Sequence, residues 1–433
     1  MKQALLEVMS QFYADGLPQD VIPRQRVFPE LRNNATVITG MRRTGKTYFT
    51  YQRMRELVAE GIPIERIVHV NFDDERLRGM TADDLHWVVD VHAEMFPEAA
   101  AQKCWYFLDE LQDVAGWEKF ARRIVDSHKI QLCLTGSSSR MLSSDIATEM
   151  RGRSVQVEMF PLSFREFLLY TDVFKEIPNL IDAPSVRGML KNRFAEYFRI
   201  GGFPDVQGAG DTIRVSMLQE YANAVVYRDI IERHDISSVQ SLQYVLQYIL
   251  HNFARKVSTR AISGMLKQLG FPSDRGAVSE YLSYYKDAYF AHAVPLRTDS
   301  LSRRQINPEK LYLADTGLIG AMTRKNEAEN GWLLENLVFC ALRRRGDTIE
   351  YYLTEKGDEV DFIVTDRITH GQRLVQVSWE LSSEKTFQRE LSALQKAKEE
   401  TGIDDCVIVT WDEERQFPDG IRAIPAWKWA LSE

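Results

Sequence analysis

The pattern of apolar and polar positions divides the chain into regions of different periodicity. Residues 1–13 have the apolar spacing of a helix, and three prolines within residues 18–29 break the connection that follows. From Arg32 to Val157, short apolar runs alternate with segments of helical spacing. The apolar runs predict strands at Thr36–Thr39, Ile67–Asn71, Trp105–Asp109, Ile130–Thr135 and Ser154–Met159. This alternation predicts a parallel sheet with helical crossovers.

The rest of the chain contains two further types of pattern. Residues 163–233 have helical spacing, interrupted at Gly201-Gly202-Phe203-Pro204, and predict a helical lid. Three helices and two strands then indicate a winged helix–turn–helix: Leu242–Phe253, Thr259–Leu269, Asp274–Tyr285, Tyr289–Arg297 and Lys310–Leu313. The final part alternates again, as a separate α/β unit. The predicted fold class is α/β, with segments at residues 1–31 (helix and arm), 32–160 (α/β core), 161–238 (helical lid), 239–326 (winged helix) and 327–433 (α/β domain).

A phosphate-binding loop follows the first predicted strand. The motif G-x-x-x-x-G-K-[ST] is formed by Gly40, Met41, Arg42, Arg43, Thr44, Gly45, Lys46 and Thr47, with Tyr48 opening the next helix. In such a loop the glycines let backbone N–H groups surround a phosphate, the lysine reaches the β- and γ-phosphates, and the threonine hydroxyl binds Mg²⁺. We therefore expect ATP and Mg²⁺ to bind here. The alternative is a chance glycine-rich turn.

Two adjacent carboxylates end the third predicted strand. Asp109 and Glu110 follow an apolar run that is typical of a buried parallel strand, and ligands bind at the carboxyl ends of such strands. We expect Asp109 to hold Mg²⁺ and Glu110 to orient or deprotonate the attacking water. An acidic pair in place of a single aspartate favours hydrolysis over binding alone.

Composition narrows the class of protein. The 433 residues are 44% hydrophobic, carry a net charge of −8, and contain no apolar run long enough to span a bilayer. The first residues lack a basic segment followed by an apolar stretch, and the four cysteines lie far apart. These features predict a cytoplasmic protein with reduced thiols and no membrane partner.

The charge is unevenly distributed along the chain. Residues 241–325 contain twelve basic and six acidic side chains, a net charge of +6, so the remainder carries −14. This asymmetry indicates a polyanion site, for which DNA is the candidate ligand. The candidate contacts are Arg275, Ser279 and Lys286 on the third helix and Arg303 and Arg304 in the loop of the wing. The alternative is a winged helix that serves only domain or subunit packing.

Several motifs together resemble a known family, the bacterial and archaeal AAA-type ATPases that carry a C-terminal domain of unassigned function. Besides the phosphate-binding loop, the motifs are Leu108-Asp109-Glu110-Leu111-Gln112 with Trp117 following, Leu134-Thr135-Gly136-Ser137-Ser138-Ser139, Arg151-Gly152-Arg153, Phe160-Pro161-Leu162-Ser163-Phe164-Arg165-Glu166-Phe167, Gly201-Gly202-Phe203-Pro204, Ala314-Asp315-Thr316-Gly317-Leu318 and Glu359-Val360-Asp361-Phe362. The resemblance covers nearly the whole chain. It implies an AAA ATPase core, a lid, a winged helix and a C-terminal domain with a restriction-endonuclease-like fold.

The resemblance also implies roles for two further polar groups. Ser137 or Ser138 would sense the γ-phosphate and help to place the attacking water; the alternative is a helix N-cap. Arg151 or Arg153 would reach the γ-phosphate of a neighbouring subunit, which would make hydrolysis depend on a homo-oligomer, with a hexamer as the first guess. The alternative for the arginines is a surface salt bridge.

A nuclease-like site in the C-terminal domain lacks one expected residue. A restriction-endonuclease-like site needs carboxylates that converge on Mg²⁺ and a nearby lysine. The candidates are Glu335, Glu359, Asp361 and Gln376, but Ser378 stands where the lysine is expected, and Lys385 is an open substitute. We therefore expect a degenerate domain kept for DNA binding or subunit contacts.

The leading functional hypothesis is an ATP-hydrolysing ring motor that acts on duplex or branched DNA. The alternatives are a nucleotide-controlled switch that signals to a protein partner, and an ATP-dependent nuclease.

Overall fold

The computed structural model describes residues 1–138, 150, 152–171, 181–323 and 329–432. The chain divides into two compact units, Met1–Met159 and Phe160–Glu433. Nowhere in these described ranges is a helix both long and apolar enough to cross a membrane.

The first unit is built around a five-stranded parallel sheet. Its strands are β1 (Ala35–Thr39), β2 (Ile67–Asn71), β3 (Cys104–Asp109), β4 (Ile130–Gly136) and β5 (Ser154–Glu158). Their order in the sheet is β2-β3-β4-β1-β5, and every neighbouring pair is parallel. The carboxyl ends of β1, β4 and β3 therefore lie side by side at one edge of the sheet.

Helices cover both faces of this sheet. They are α1 (Lys2–Asp15), α2 (Lys46–Ala59), α3 (His86–Met95), α4 (Pro97–Ala100) and α5 (Trp117–Asp126). Successive residues of β1 enter different cores: Val37 packs in a cluster with side chains of α1, α3 and α5, whereas Ile38 packs with Phe49 of α2. Because both faces are covered, all five residues of β1 are buried. The strand and helix alternation predicted from sequence is thus confirmed.

The second unit begins with helices: α6 (Phe164–Tyr170), α7 (Pro184–Ile200) and α8 (Asp211–Ala224), the last continuing as a π-helix over Val225–Ile231. A capping box in which Ser163 and Glu166 bond each other's backbone N–H groups fixes the start of α6. Two motifs from the sequence meet nearby, since the Asp315 carboxylate accepts a hydrogen bond of 2.7 Å from the Gly202 backbone N–H.

A three-stranded antiparallel sheet and four helices follow. In chain order they are α9 (Val239–His251), β6 (Arg255–Val257), α10 (Thr259–Gln268), α11 (Arg275–Asp287), β7 (Ala291–Val294), α12 (Leu301–Ile306) and β8 (Glu309–Leu313). The strand order is β6-β8-β7. Side-chain caps from Ser258 and Asp274 start α10 and α11.

Two features of this region differ from the sequence prediction. The strand Arg255–Val257 was not predicted, because three residues carry too short a pattern. The prediction of a basic loop at Arg303 and Arg304 was wrong: both lie on the short helix α12, which Ser300 caps at its N-terminus.

The chain ends in a six-stranded mixed sheet with its own helices. The strands are β9 (Thr348–Leu353), β10 (Glu359–Thr365), β11 (Gln372–Ser378), β12 (Cys406–Thr410), β13 (Arg415–Gln416) and β14 (Arg422–Pro425), in the order β13-β14-β12-β11-β10-β9. The helices of this part are α14 (Asn330–Arg345), α15 (Glu384–Thr401) and α16 (Ala426–Leu431), whereas the preceding helix, α13 (Thr316–Met322), packs against α7 and α8. The register of β9 and β10 shifts between Val360 and Ile363, so Asp361 lies at an irregularity of the sheet.

Candidate functional site

The phosphate-binding loop joins β1 to α2 in a conformation that only certain residues tolerate. Gly40, Arg43 and Gly45 all have positive φ, at 141°, 68° and 87°. A Cβ atom on Gly40 would lie 2.2 Å from the Met159 carbonyl oxygen, so no other residue fits there without backbone movement. The loop therefore brings backbone N–H groups to the N-terminus of α2, where an anion is favoured.

The remaining residues of the loop differ in exposure. Met41, Thr44 and Lys46 are buried, Arg42 and Thr47 are half-buried, and Arg43 and Tyr48 are exposed. The Thr44 hydroxyl closes the loop by donating a hydrogen bond of 2.9 Å to the Met41 carbonyl.

The Lys46 ammonium group lies inside the loop. It donates hydrogen bonds to the carbonyl oxygens of Gly40 and Met41, at 3.1 and 3.2 Å, and lies 3.9 Å from a carboxylate oxygen of Glu110. A further residue supports the loop from the N-terminal arm: Arg24 donates a hydrogen bond of 2.8 Å to the Thr44 carbonyl. Sequence reasoning missed Arg24, because it lies in a proline-rich arm without a motif.

Asp109 is the centre of a hydrogen-bonded chain at the edge of the sheet. Its carboxylate accepts a hydrogen bond of 2.5 Å from the Thr47 hydroxyl and another from the Thr135 hydroxyl. Burial, and after it the charge of Glu110, raises the pKa of Asp109, whereas the bonds from Thr135 and Thr47 act in the opposite direction. A hydroxyl and a carboxylate facing each other form a donor set that suits a hard cation such as Mg²⁺.

Glu110 follows Asp109 with an unusual backbone conformation. Its φ of 53° and ψ of 36° lie in the left-handed region, which few residues other than glycine adopt. Its backbone N–H donates to the Thr135 hydroxyl at 3.2 Å, and its carboxylate accepts a hydrogen bond from the Gln112 amide. The turn therefore brings the Glu110 side chain to the same edge as Lys46 and Asp109.

The expected γ-phosphate sensors lie one and two positions beyond the end of β4. Ser137 and Ser138 are both buried and follow Gly136, the last residue of the strand. Thr135, which sequence reasoning missed, is the residue of β4 that bonds Asp109. A polar residue near the end of an otherwise apolar run was the signal that could have identified it.

The structure describes only one of the two candidate arginines. Arg151 lies outside the described residues. Arg153 precedes β5, at the edge of the sheet where β1 begins, and forms an ion pair with Asp126 of α5. It is therefore separated from the phosphate-binding loop of its own chain by the full length of β1.

The five candidate DNA contacts lie on two helices. Arg275 and Ser279 are exposed and one turn apart on α11; Lys286 is half-buried and lies 3.2 Å from the Glu309 carboxylate. Arg303 and Arg304 are exposed on α12, with a guanidinium nitrogen of Arg304 3.5 Å from Glu350.

A buried lysine lies among the three carboxylates that the sequence analysis named as candidates for a nuclease-like site. The Lys310 ammonium, only 2% exposed, lies 2.5 Å from Glu335, 3.0 Å from Glu359 and 3.1 Å from Asp361. Burial, and after it the charge of Asp361, raises the pKa of Glu335 to about 8. Burial alone would lower the pKa of Lys310, but the surrounding carboxylates raise it well above its usual value.

This lysine comes from β8, so it belongs to the three-stranded sheet and not to the sheet that carries Asp361. Sequence reasoning missed it for that reason. The fourth candidate, Gln376, forms hydrogen bonds with other partners. Its side-chain oxygen accepts a hydrogen bond from the Asp361 backbone N–H, and its amide N–H donates one of 2.7 Å to Glu390. Ser378 donates to the Glu380 carbonyl, and the side chain of Lys385 is outside the described part of the chain.

Lys310 and the three carboxylates line an open cavity of about 820 Å³. Arg255, Trp332 and Arg389 also line this cavity. Within the parts of the chain that the structure covers, no group of three or more histidine, cysteine, aspartate or glutamate side chains is arranged to hold a metal ion. The Lys310 ammonium is instead the cation that the three carboxylates share.

Three family models match successive segments of the chain. An AAA domain matches residues 32–168, a domain of unknown function (DUF8612) matches residues 191–329, and a second (DUF4143) matches residues 330–429. The uncharacterized protein MJ1544 of Methanocaldococcus jannaschii is 32% identical over 426 residues, which cover 95% of this chain and 91% of that protein. An uncharacterized protein of Haemophilus influenzae is 28% identical, over 80% of this chain and 82% of its own.

Solved structures with partial similarity include the Aeropyrum pernix ORC1 protein in complex with DNA. That match has a TM-score of 0.30 and 16% identity, and covers 74% of this chain and 90% of that one. AMPPCP-bound DnaA from Aquifex aeolicus matches with a TM-score of 0.25 and 14% identity, over 58% and 82% of the two chains. By its near full-length similarity to the M. jannaschii protein, the chain belongs to a family of AAA-domain proteins that carry two C-terminal domains of unknown function.

Proposed function

We propose that this protein hydrolyses ATP at the edge of the five-stranded sheet where the phosphate-binding loop lies. The observation that carries the proposal is that four side chains meet there. The Thr47 hydroxyl lies 2.5 Å from an Asp109 carboxylate oxygen, and the Lys46 ammonium lies 3.9 Å from a Glu110 carboxylate oxygen. Thr47 and Asp109 would hold Mg²⁺, which neutralises phosphate charge when it accompanies ATP.

Each protein group has a separate role in the proposed reaction. Backbone N–H groups of the loop hold the β-phosphate, and Lys46 exchanges the carbonyls of Gly40 and Met41 for phosphate oxygens. A water molecule attacks the γ-phosphorus, the bond to the leaving ADP oxygen breaks, and Glu110 accepts the proton of the water. Lys46→Ala should lose ATP binding, as measured by titration with a fluorescent nucleotide; unchanged affinity would refute this assignment of the loop.

We also propose that the site is completed by a neighbouring subunit through Arg153. Arg153 lies where β1 begins, and the phosphate-binding loop lies where β1 ends. A strand of five residues spans about 16 Å and separates this arginine from the loop of its own chain, which supports a role at the site of a neighbour. The ion pair with Asp126 must then open on assembly.

Subunit mixing tests this proposal. Arg153→Ala should bind ATP but hydrolyse it at least about 10³-fold more slowly. Adding Lys46→Ala subunits, which retain Arg153, should restore part of the turnover. No recovery on mixing, or full activity of a monomer in sedimentation, would contradict a shared site.

The proposed substrate of the motor is DNA, in duplex or branched form. The positive charge of residues 241–325 and the exposed pair Arg275 and Ser279 on α11 support it. Duplex or junction DNA should bind and stimulate ATP hydrolysis at low salt. Arg275→Ala should reduce the slope of log affinity against log salt concentration by about one, as expected for one lost phosphate contact.

If DNA neither binds nor stimulates hydrolysis, the motor hypothesis fails and the nucleotide-controlled switch takes its place. The switch hypothesis predicts slow ATP turnover that does not change when DNA is added. It also predicts that the protein retains its bound nucleotide tightly.

We do not propose a nuclease. The Lys310 ammonium already lies among Glu335, Glu359 and Asp361, where a nuclease would bind a divalent cation. Supercoiled plasmid should remain uncut with ATP and either Mg²⁺ or Mn²⁺. Cleavage that Asp361→Ala abolishes would reverse this conclusion.

A further inference from the structure

We propose that Gln112 is a positioning residue for hydrolysis, holding the Glu110 carboxylate in the orientation that accepts the proton of the attacking water. This inference rests on the proposed ATP hydrolysis and assigns a role that the phosphate-binding loop and the acidic pair leave open. Gln112 donates its amide N–H to a Glu110 carboxylate oxygen, while the other oxygen of that carboxylate faces Lys46.

The local backbone explains why these two side chains meet. Glu110 has a left-handed conformation and is followed by a single 3₁₀ turn, Leu111–Asp113. Leu111 is fully buried in the core of the first unit, so it anchors the turn. Glu110 and Gln112, on either side of that anchor, are thereby directed to the same edge of the sheet.

The oxygen atom of the Gln112 amide provides independent evidence for this role. This atom, Oε1, is buried and has no hydrogen-bond partner in the described part of the structure. Buried polar atoms are nearly always bonded, so an unpaired acceptor beside a reactive carboxylate points to a donor that arrives with the substrate. The water molecule that attacks the γ-phosphate has the required chemistry, since it can donate one proton to Glu110 and the other to Gln112 Oε1.

Two substitutions separate positioning from packing. Gln112→Met keeps nearly the same volume but removes both the donor and the acceptor. Gln112→Glu keeps the shape and the acceptor but removes the donor and adds a negative charge beside Glu110. Gln102→Met is the matched control, because it makes the same glutamine-to-methionine change at an exposed position of the same unit.

The measurement is steady-state phosphate release, with ATP affinity and thermal unfolding measured on the same samples. We expect Gln112→Met to lower kcat about 10- to 100-fold, within the range for a misplaced general base, while ATP affinity changes less than about threefold. Gln112→Glu should be slower still, and Gln102→Met should match the wild-type protein.

Two results would overturn the role of Gln112 alone. One is a wild-type kcat in Gln112→Met while the wild-type protein hydrolyses ATP. The other is a parallel loss of kcat, ATP affinity and unfolding temperature, which would indicate packing. A wild-type protein that binds ATP without releasing phosphate would instead refute the proposed hydrolysis, on which this role depends.

Discussion

Replacing Lys310 by methionine tests the ion cluster of the second unit. The substitution keeps the length and apolar part of the side chain but removes the ammonium that Glu335, Glu359 and Asp361 share. Lys310 is 2% exposed, so its ammonium is largely removed from bulk water and depends on the carboxylates for its interactions. The three carboxylates then face each other without this cation.

The expected cost follows from this burial. Breaking a buried ion pair by removing one partner costs about 3–5 kcal/mol, since it leaves uncompensated charge in the interior. For a domain of this size, each kcal/mol lowers the unfolding temperature by roughly 2–4 °C. We therefore expect the transition of the second unit to fall by about 10 °C near pH 8.

The loss should depend on pH in a defined direction. The pKa of Glu335 is about 8 in the folded protein against 4.5 for an ordinary glutamate. A raised pKa means that the folded state binds a proton more tightly than the unfolded chain, so this contribution to stability is full below pH 4.5 and is lost as the pH rises through 8. Without Lys310 the carboxylates resist ionisation further, so the difference between variant and wild type should be larger at pH 8.5 than at pH 5.5.

Differential scanning calorimetry at the two pH values measures both effects. Lys356→Met is the matched control, because Lys356 is exposed and on the same unit. Equal unfolding temperatures of Lys310→Met and the wild-type protein at both pH values would refute the shared-cation interpretation, as would a larger loss at pH 5.5 than at pH 8.5.

Two further predictions concern the nucleotide site. Gly40→Ala should reduce ATP affinity by more than about 100-fold in a fluorescence titration, because its Cβ would lie 2.2 Å from the Met159 carbonyl; Gly188→Ala, whose Cβ meets no atom within 4 Å, should bind normally. Thr135→Val, which removes the hydroxyl bonded to Asp109, should lower kcat by about tenfold with ATP affinity nearly unchanged, and equal kcat values would contradict the role of that bond.

The contact between the phosphate-binding loop and the end of β3 could be predicted from the sequence because both segments carry local patterns. Gly40 to Thr47 carries a motif with fixed spacing, and Asp109 and Glu110 end an apolar strand. Strand order then brings these segments together, since parallel strands with helical crossovers end at one edge. The role of Thr135 was not predicted because its motif contains several hydroxyl side chains, and the sequence does not show which of them faces Asp109.

Contacts between distant segments explain the features that were missed in the second unit. Lys310 and Asp361 belong to different sheets, so no local pattern indicates that their side chains meet. The helix of Arg303 and Arg304 has only six residues, fewer than two turns, which is too short for an apolar period. Its N-cap, Ser300, was the available signal.

In the proposed ATP hydrolysis, Glu110 is the residue that accepts the proton of the attacking water. The most direct measurement compares phosphate release and ATP binding in the wild-type protein and Glu110→Gln, which keeps the size of the side chain and removes its basicity. We expect ATP binding in both proteins and at least about 100-fold slower phosphate release in Glu110→Gln. Equal rates of phosphate release in the two proteins would contradict it.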